Sequence, residues 1–337
     1  MRQEPQRAVA VTGAGGTLGR RVIASLEARG DRAVAIDPAG PDVKRALEGV
    51  DAVVHLAFAV GPELDDVENA ARNIEATKRL LDAAGTAGVG HVVLLSSAAV
   101  YGAWPNNPVP ITEDAPVRPN PGFGFATQKA ELERLAGEWV DEHPGATLSI
   151  LRPAVPLDEE QTGFLSSVLG VRATVATGDA DVPVQFVHLD DLAEAVVHAC
   201  TNELDGVFNV AGDGWVSAGE ARALAGAPPR VRVPERVRSL LSRVGRTTPG
   251  VVPYTLHPWV VATDRLKATG WVPSHSIEET VVDTTEGMPW SRLSPKRRQE
   301  IALVASVVGV AGVVIGAVAL ARRLRRRVAP RLDQYQD

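Results

Sequence analysis

A doubly wound parallel α/β sheet with a smaller C-terminal lobe is the fold class that the sequence predicts. Short, almost wholly apolar strands alternate with helical patterns through the first half of the 337-residue chain. Strands that are apolar on both faces are typical of a parallel sheet covered by helices on each side. A glycine-rich turn follows the first strand, and right-handed crossovers in such a sheet place ligands at the carboxyl ends of the strands.

The predicted elements follow this alternation in order. In the first half we expect strands over 7–12, 33–37, 52–56, 91–96 and 147–151, with helices over 18–28, 65–84 and 129–142. After Pro153 the alternation loosens, and we expect strands over 184–188 and 207–210 and helices over 191–199 and 235–244. The lengths and the apolar faces of these segments fit the periods of strands and helices.

The same pattern predicts the domain organisation. A core domain is expected over 1–153, and its sheet also receives about 184–212. A substrate-binding lobe is expected over 154–286, and 287–300 form a linker. A ligand would then lie between the strand ends of the core domain and the lobe.

Composition excludes several classes of protein. The hydrophobic fraction of 45% and charged fraction of 23% are ordinary for a globular protein. The one cysteine, Cys200, excludes an intramolecular disulfide and fits a reducing compartment. No apolar leader precedes the first strand, so no secretory signal is expected. The seven histidines lack metal-ligand spacing, so no metal site is expected.

Charge is distributed unevenly along the chain. The net charge of −6 combines an acidic body with a basic C-terminal segment, in which ten Lys or Arg residues stand against one acid over 292–331. An acidic body does not favour nucleic acid as a partner. The basic segment therefore requires a separate explanation.

An apolar segment near the C-terminus gives that explanation. Residues 301–321 contain no charge and no proline, and as a helix they would extend about 31 Å, close to the roughly 30 Å of a hydrocarbon core. Basic residues flank both ends, and 322–337 form a basic tail. We expect a transmembrane helix that anchors the chain, with the main domain cytoplasmic. The more basic flank would then lie on the far side of the membrane, against the positive-inside tendency, so a tilted or interfacial helix is the alternative. Gly312 and Gly316 form a GxxxG pattern typical of paired membrane helices, which makes a homodimer one hypothesis.

The turn after the first strand carries a phosphate-binding pattern. Gly13, Gly16 and Gly19 have the spacing GxxGxxG between a predicted strand and a predicted helix. The first glycine permits a tight turn, the second allows the backbone to approach a pyrophosphate, and the third allows close packing of helix on strand. Backbone amides at Thr17 and Leu18 would then face the phosphates at the positive end of the helix. This predicts a Rossmann-type dinucleotide site.

An acidic residue at the end of the second strand bears on the choice of dinucleotide. Asp37 could accept hydrogen bonds from both ribose hydroxyls and would repel a 2′-phosphate, which favours NAD over NADP. A solvated turn residue before Pro38 is the alternative interpretation. Asp42, in the next loop, is a weaker candidate for the adenine end of the cofactor.

Together with this turn, several further motifs make the chain resemble the extended short-chain dehydrogenase/reductase family, the NAD-dependent epimerases and dehydratases. The motifs occur in the expected order from about residue 8 to 285, at Val53–Ala57, Asn73–Leu81, Leu95–Gly102, Leu151–Ala154, Gln185–Ala193 and Leu266–Pro273. The resemblance implies that the backbone of Leu56 and Ala57 lines the cofactor and that Pro153 lies beside the nicotinamide. It also implies that the Ser97 hydroxyl holds a substrate oxygen.

The catalytic pair of this family is incomplete in the chain. The family uses a tyrosine and a lysine four residues later, a spacing that puts both on one helix face. Lys129 matches the lysine, which would hold the nicotinamide ribose, but Phe125 occupies the position of the tyrosine. Loss of a general base typically costs about 10²- to 10⁴-fold in rate. Three alternatives stay open: cofactor binding without turnover, turnover with Ser97, Tyr101 or water, and chemistry that needs no base there.

The sequence therefore predicts an NAD(P)-dependent, epimerase/dehydratase-like oxidoreductase acting on a small-molecule substrate such as a nucleotide sugar or another hydroxyl or keto compound. One alternative is a catalytically impaired dinucleotide-binding sensor or structural protein at the membrane. Another is an enzyme that resembles a hydroxysteroid dehydrogenase. An apolar cleft would favour the steroid, whereas cationic side chains near Arg152, Arg230 and Arg232 would favour a nucleotide diphosphate.

Overall fold

The computed structural model describes residues 6–59, 67–157, 182–225 and 249–284. All four ranges belong to one compact unit that spans Met1–Ala225 and Thr248–Glu286. The predicted helix over 235–244, the linker, the apolar segment and the basic tail lie outside the described residues, as do Arg230 and Arg232. Of the helices in the four ranges, none combines the length and the apolar character needed to cross a membrane.

A six-stranded parallel sheet forms the centre of the described unit. The strands in the four ranges are β1 (Ala8–Thr12), β2 (Arg32–Ile36), β3 (Ala52–His55), β4 (His91–Leu95), β5 (Thr147–Pro153), β6 (Val155–Leu157), β7 (Pro183–Val184), β8 (Phe186–His188), β9 (Gly206–Val210) and β10 (Val216–Ser217). The main sheet has the order β2-β1-β3-β4-β5-β9. From β1 the chain passes to β2 on one side and then to β3 on the other side of β1. The direction of the connections reverses there, so the carboxyl ends of β1 and β3 form a topological switch point.

Helices cover both faces of this sheet. The helices in the four ranges are α1 (Thr17–Ala28), α2 (Val43–Ala46), α3 (Val67–Ala87), α4 (Gly124–Glu142), α5 (Leu189–Thr201), α6 (Ala218–Leu224), α7 (Asp264–Lys267) and α8 (Ile277–Asp283). One core cluster joins α1 and α5 to Val9 and Val11, and another joins α2, α3 and α4 to Ala10. Alternate residues of a strand point to opposite faces, so this division follows from the alternation within β1.

The predicted doubly wound fold is confirmed, and most element bounds differ by one to three residues. The helix predicted over 129–142 begins earlier, at Gly124, because Phe125 and Ala126 are buried on the same helix as Lys129. The strand predicted over 184–188 is divided at Gln185 into β7 and β8, and neither joins the main sheet, which receives only β9 from the predicted 184–212. Val184 pairs with β10 and Phe186 pairs with β6, while the Gln185 side chain between them donates to Gly214 O and Val261 O.

A third core cluster lies beyond the carboxyl ends of the strands. It joins the start of α4 to a short helical turn over Ala98–Tyr101 and to a second turn over Pro249–Thr255. Its aromatic members are Tyr101, Phe123, Phe125, Phe186, Tyr254 and Trp259. This cluster places an apolar wall beside the ends of β4 and β5.

Candidate functional site

The glycine turn between β1 and α1 is shaped by close backbone contacts. Gly13 has φ +70°, and a Cβ there would lie 2.9 Å from Ala57 N. A Cβ at Gly19 would lie 2.2 Å from Gly13 O. Side chains at these two positions would push the turn away from β3 or from the helix. Gly15 differs, since a Cβ there would meet no atom within 4 Å.

The first turn of α1 offers unpaired backbone donors. The helix begins at Thr17 after Gly16, and no side chain caps it within the described ranges. The first amide groups of a helix have no intrahelical partner, so those of Thr17, Leu18 and Gly19 are available to an anion. Gly15 and Gly16 are exposed and Thr17 and Leu18 half-buried. The turn is therefore open where a diphosphate would lie.

Strand register places the other predicted cofactor residues at the same level. Thr12 is the partner of Ile36 in β2 and of His55 in β3. Consequently Asp37 and Leu56, which follow those partners, flank the glycine turn. Asp37 is exposed, and its Oδ1 accepts a hydrogen bond of 2.9 Å from Ala39 N. Asp42 is exposed before α2 and does not cap that helix with its side chain.

A buried chain of hydrogen bonds connects the residue before the turn, Thr12, to β3 and α3. The Thr12 hydroxyl accepts from Leu56 N at 3.1 Å and from Ala57 N at 3.0 Å. It also contacts His55 Nδ1 at 2.8 Å, and His55 Nε2 lies 2.9 Å from Thr77 Oγ1. Thr77 Oγ1 donates to Asn73 O, so it accepts from Nε2–H and the histidine carries its proton there.

Burial keeps His55 neutral. Desolvation, followed by the charge of Lys129, lowers the pKa of His55 to about 3. The neutral ring can therefore accept from Thr12 and donate to Thr77 at the same time. Thr77 thus helps to hold the backbone of Leu56 and Ala57 through His55 and Thr12, while the Asn73 side chain bonds both backbone groups of Ala59.

Ser97 and the Lys129 ammonium both lie near the carboxyl end of β4. Ser97 is fully buried and its Oγ accepts from Ala99 N at 3.1 Å. Lys129 Nζ donates to Leu95 O at 2.7 Å and lies 4.2 Å from the centre of the Phe58 ring. Burial lowers the pKa of Lys129 to about 7, although the charge of Glu133 opposes this change.

Phe125 stands one helical turn before Lys129 and is buried in aromatic contacts. Its ring centre lies 5.4 Å from that of Phe58, edge to face, and 5.7 Å from that of Phe123. The side chain has no hydroxyl, so the site has no phenol at this position. Of these rings, Phe58 lies against the Lys129 ammonium and adds to the burial that lowers the pKa of that amine.

Tyr101, considered from the sequence as a replacement base, is occupied elsewhere. Its hydroxyl donates to Asn209 Oδ1 at 2.8 Å and accepts from Arg152 Nη1 at 2.9 Å. Burial raises the pKa of Tyr101 despite the neighbouring guanidinium. The packing role is therefore the one that the structure supports.

Arg152 is also occupied, which changes its expected role. Its Nε donates to Glu133 Oε1 at 2.9 Å and its Nη2 to Oε2 at 2.6 Å, and both side chains are buried. The guanidinium is thus not available to a nucleotide diphosphate. Pro153 follows it at the end of β5, buried and paired with Val210 of β9.

Sequence reasoning did not identify Glu133, Glu113 or Asn209 as part of this region. Asn209 N donates to Glu113 Oε1 at 2.9 Å, which joins β9 to the loop after the 98–101 turn. Glu133 lies four residues after Lys129, and this spacing predicts that both side chains share one face of the helix. Glu113 and Asn209 lie far apart in the sequence, and no local pattern links them to the site. Among the described residues, no group of three or more His, Cys, Asp or Glu side chains could hold a metal ion.

The fold and the turn define a doubly wound protein with a dinucleotide-type phosphate site at its switch point. The sequence model described as "NAD dependent epimerase/dehydratase family" matches residues 9–211. The chain therefore belongs to the NAD dependent epimerase/dehydratase family, which confirms the resemblance seen in its motifs.

Individual relatives agree with this family. An uncharacterized protein of Sinorhizobium fredii, y4nG, is 28% identical over 50% of this chain, and the match spans only 42% of its own length. A UDP-glucose 4-epimerase of Azospirillum brasilense is 28% identical over 87% of this chain and 92% of its own. The structure of a Thermus thermophilus UDP-glucose 4-epimerase in complex with NAD has a TM-score of 0.65 at 22% identity. That structural match covers 86% of this chain and 100% of the other, and it shows the fold.

Proposed function

We propose that the chain binds NAD with its pyrophosphate on the first-turn amides of α1. The close contacts of the turn support this: a Cβ at Gly13 or Gly19 would displace the turn from β3 or from the helix. The unpaired amides of Thr17 and Leu18 supply donors in the direction of the helix dipole. When bound, NAD would supply the redox chemistry that converts a hydroxyl into a keto group and back.

The remaining cofactor contacts follow from the strand ends. Asp37 lies at the level of the turn and would bind the adenine-side ribose hydroxyls, while Asp42 lies further along the same edge. The backbone of Leu56 and Ala57 would line the cofactor. At the far end of the sheet, Lys129 would bind the nicotinamide ribose and Pro153 would contact the nicotinamide, because both lie at the ends of β4 and β5.

We propose a nucleotide-sugar-like substrate and an epimerase- or dehydratase-type oxidation and reduction as the activity. The support is family membership together with two relatives that are UDP-glucose 4-epimerases. In this proposal Ser97 binds the reacting oxygen of the substrate and Lys129 holds the cofactor beside it. The hydroxysteroid alternative stays a prediction, and the aromatic wall around Phe125 is the feature compatible with it.

Phe125 favours a second candidate, a dinucleotide-binding protein without classical turnover. A buried phenyl ring cannot exchange a proton with a substrate hydroxyl. Tyr101, one of the alternatives named from the sequence, donates its hydroxyl proton to Asn209 Oδ1 in a hydrogen bond. Binding of the cofactor survives this loss, since none of the turn residues depends on Phe125.

One substitution distinguishes the two candidates. The full-length parent and Phe125→Tyr are compared for NADH binding by fluorescence and for turnover of UDP-glucose. Turnover by the tyrosine variant alone would support the binding protein, and equal turnover by both would show that another group transfers the proton. If neither protein binds NADH or NAD, the proposed function is wrong.

We further propose that residues 301–321 anchor the chain in a membrane, with the main domain cytoplasmic and a homodimer formed through the GxxxG face. The support for the anchor is the uncharged sequence of this segment and its length, together with basic residues at both ends that can bind lipid headgroups. Carbonate extraction of membranes tests the anchor: the full chain should stay with the membrane, and a chain lacking 301–321 should be released. Release of both would contradict it.

A further inference from the structure

Lys129 and Glu133 are separated by one helical turn but do not pair as such residues usually do. Lys and Glu four residues apart on a helix normally attract each other. Here Lys129 Nζ donates to Leu95 O at 2.7 Å instead, and within the described ranges it has no ion-pair partner. Both side chains are buried, with 4% and 7% of their surface exposed. Something must therefore hold the carboxylate away from the ammonium.

The carboxylate of Glu133 is fully engaged by two other side chains. Oε1 accepts from Arg152 Nε at 2.9 Å, and Oε2 accepts from Arg152 Nη2 at 2.6 Å. Ser96 Oγ also donates to Oε1. A bidentate guanidinium matches the planar carboxylate better than a single ammonium can. The Glu133 carboxylate therefore pairs with Arg152 and not with Lys129.

We propose that Arg152 is a positioning residue for Lys129: by holding Glu133, it leaves the Lys129 ammonium directed at the end of β4 and available to a ligand. This inference rests on the proposed function, in which that ligand is the nicotinamide ribose. Lys129 and Glu133 then fix consecutive residues, Leu95 through its carbonyl and Ser96 through its hydroxyl. Ser97 follows directly.

Arg152 is itself held from its other side. Its Nη1 donates to the Tyr101 hydroxyl at 2.9 Å, which donates to Asn209 Oδ1 at 2.8 Å. Asn209 N donates to Glu113 Oε1 at 2.9 Å. A continuous buried network therefore joins α4, β5 and β9, and Arg152 cannot turn away from Glu133 without breaking several hydrogen bonds.

The charges that face Lys129 determine the sign of each expected effect. Glu133 faces it from α4, Arg152 stands behind Glu133 on β5, and His55 faces it from β3 and is neutral. Without Arg152 the unpaired carboxylate would turn to Lys129 and raise the pKa of the amine. Without the Glu133 charge the buried amine would lose its one stabilising anion, and its pKa would fall further. The two substitutions act in opposite directions.

The test is the titration of Lys129 in the full-length chain. The chain has five lysines, so a sample labelled with ¹³Cε-lysine gives a sparse spectrum in which Lys129→Met assigns one signal. Arg152→Gln should raise the titration midpoint by about 1 pH unit or more, and Glu133→Gln should lower it similarly. Arg134→Gln is the matched control: Arg134 pairs with Glu131 and Glu138 on the exposed face of the same helix, so no change is expected.

Some outcomes would overturn the inference. Midpoints that move in the same direction in both variants, or that do not move, would show that Arg152 and Glu133 serve packing alone. If one single variant does not fold, the double variant Glu133→Gln/Arg152→Gln retains an amide pair. Its midpoint should lie below that of the parent, and a parental or higher value would refute the proposal.

A parallel NADH titration separates this inference from the proposed function. Opposite pKa changes without NADH binding by the parent would reject the cofactor and leave the role of Arg152 intact. If the parent binds NADH but the titration midpoint of Lys129 does not change in the two variants, the role of Arg152 is rejected and the proposed cofactor is not.

Discussion

A single methyl group at Gly19 should weaken dinucleotide binding, whereas the same group at Gly15 should not. The Cβ of Gly19→Ala would lie 2.2 Å from Gly13 O, and ordinary contacts begin at 3.4 Å. The turn and the helix must therefore separate by about 1.2 Å, at a cost of about 1–3 kcal/mol for an overpacked site. If binding requires the original turn, this corresponds to about 5- to 150-fold weaker binding.

Gly15→Ala is the matched control for that experiment. It adds the same atom to the same turn, but no other atom lies within 4 Å of the new Cβ. Dissociation constants for NADH, measured by fluorescence on the full-length proteins, should differ less than about threefold from the parent, or about 0.6 kcal/mol. Equal losses in both variants, or none in Gly19→Ala, would refute the claim that the close contacts shape the phosphate site.

Three further predictions concern charge and hydrogen bonding. Because burial lowers the pKa of Lys129 from 10.5 to about 7, the unfolded chain binds more protons between these values. The free energy of unfolding of the parent, relative to that of Lys129→Met, should then rise with pH over that window by up to about 1.4 kcal/mol per pH unit. Denaturant titrations of both proteins at pH 7 and 9 check this, and an equal stability difference between them at the two pH values would contradict it. Asp37→Ser should improve binding of NADPH relative to NADH by about tenfold, or 1.4 kcal/mol, and unchanged selectivity in fluorescence titrations would exclude Asp37 from the ribose site. Tyr101→Phe should cost about 1–3 kcal/mol in urea unfolding, because Arg152 and Asn209 both lose a buried partner, and a loss below about 0.5 kcal/mol would show that the network contributes little.

The fold and the cofactor turn could be predicted from local sequence, because both depend on short-range patterns. Apolar runs identify the strands of a buried parallel sheet, and the spacing of Gly13, Gly16 and Gly19 identifies the turn. Residues such as Asp37 then follow from strand register, since neighbouring parallel strands end at the same edge. These inferences need no knowledge of distant side chains.

The buried network could not be predicted in the same way. Tyr101, Arg152 and Asn209 are brought together by three strand ends, and no spacing along the chain links them. Arg152 looked like a cation available to a phosphate because its partner, Glu133, lies on a helix that precedes it. In the described ranges after residue 210 the elements are short and depend on packing, which explains why β10, α6, α7, α8 and the turn over Pro249–Thr255 do not follow from the sequence pattern.

Titration of the full-length chain with NADH and NADPH tests the central claim most directly. If the first-turn amides of α1 hold a dinucleotide diphosphate and Asp37 selects the ribose, NADH should bind saturably with one molecule per chain, and NADPH should bind more weakly. Absence of saturable binding by either dinucleotide would contradict the account of the site.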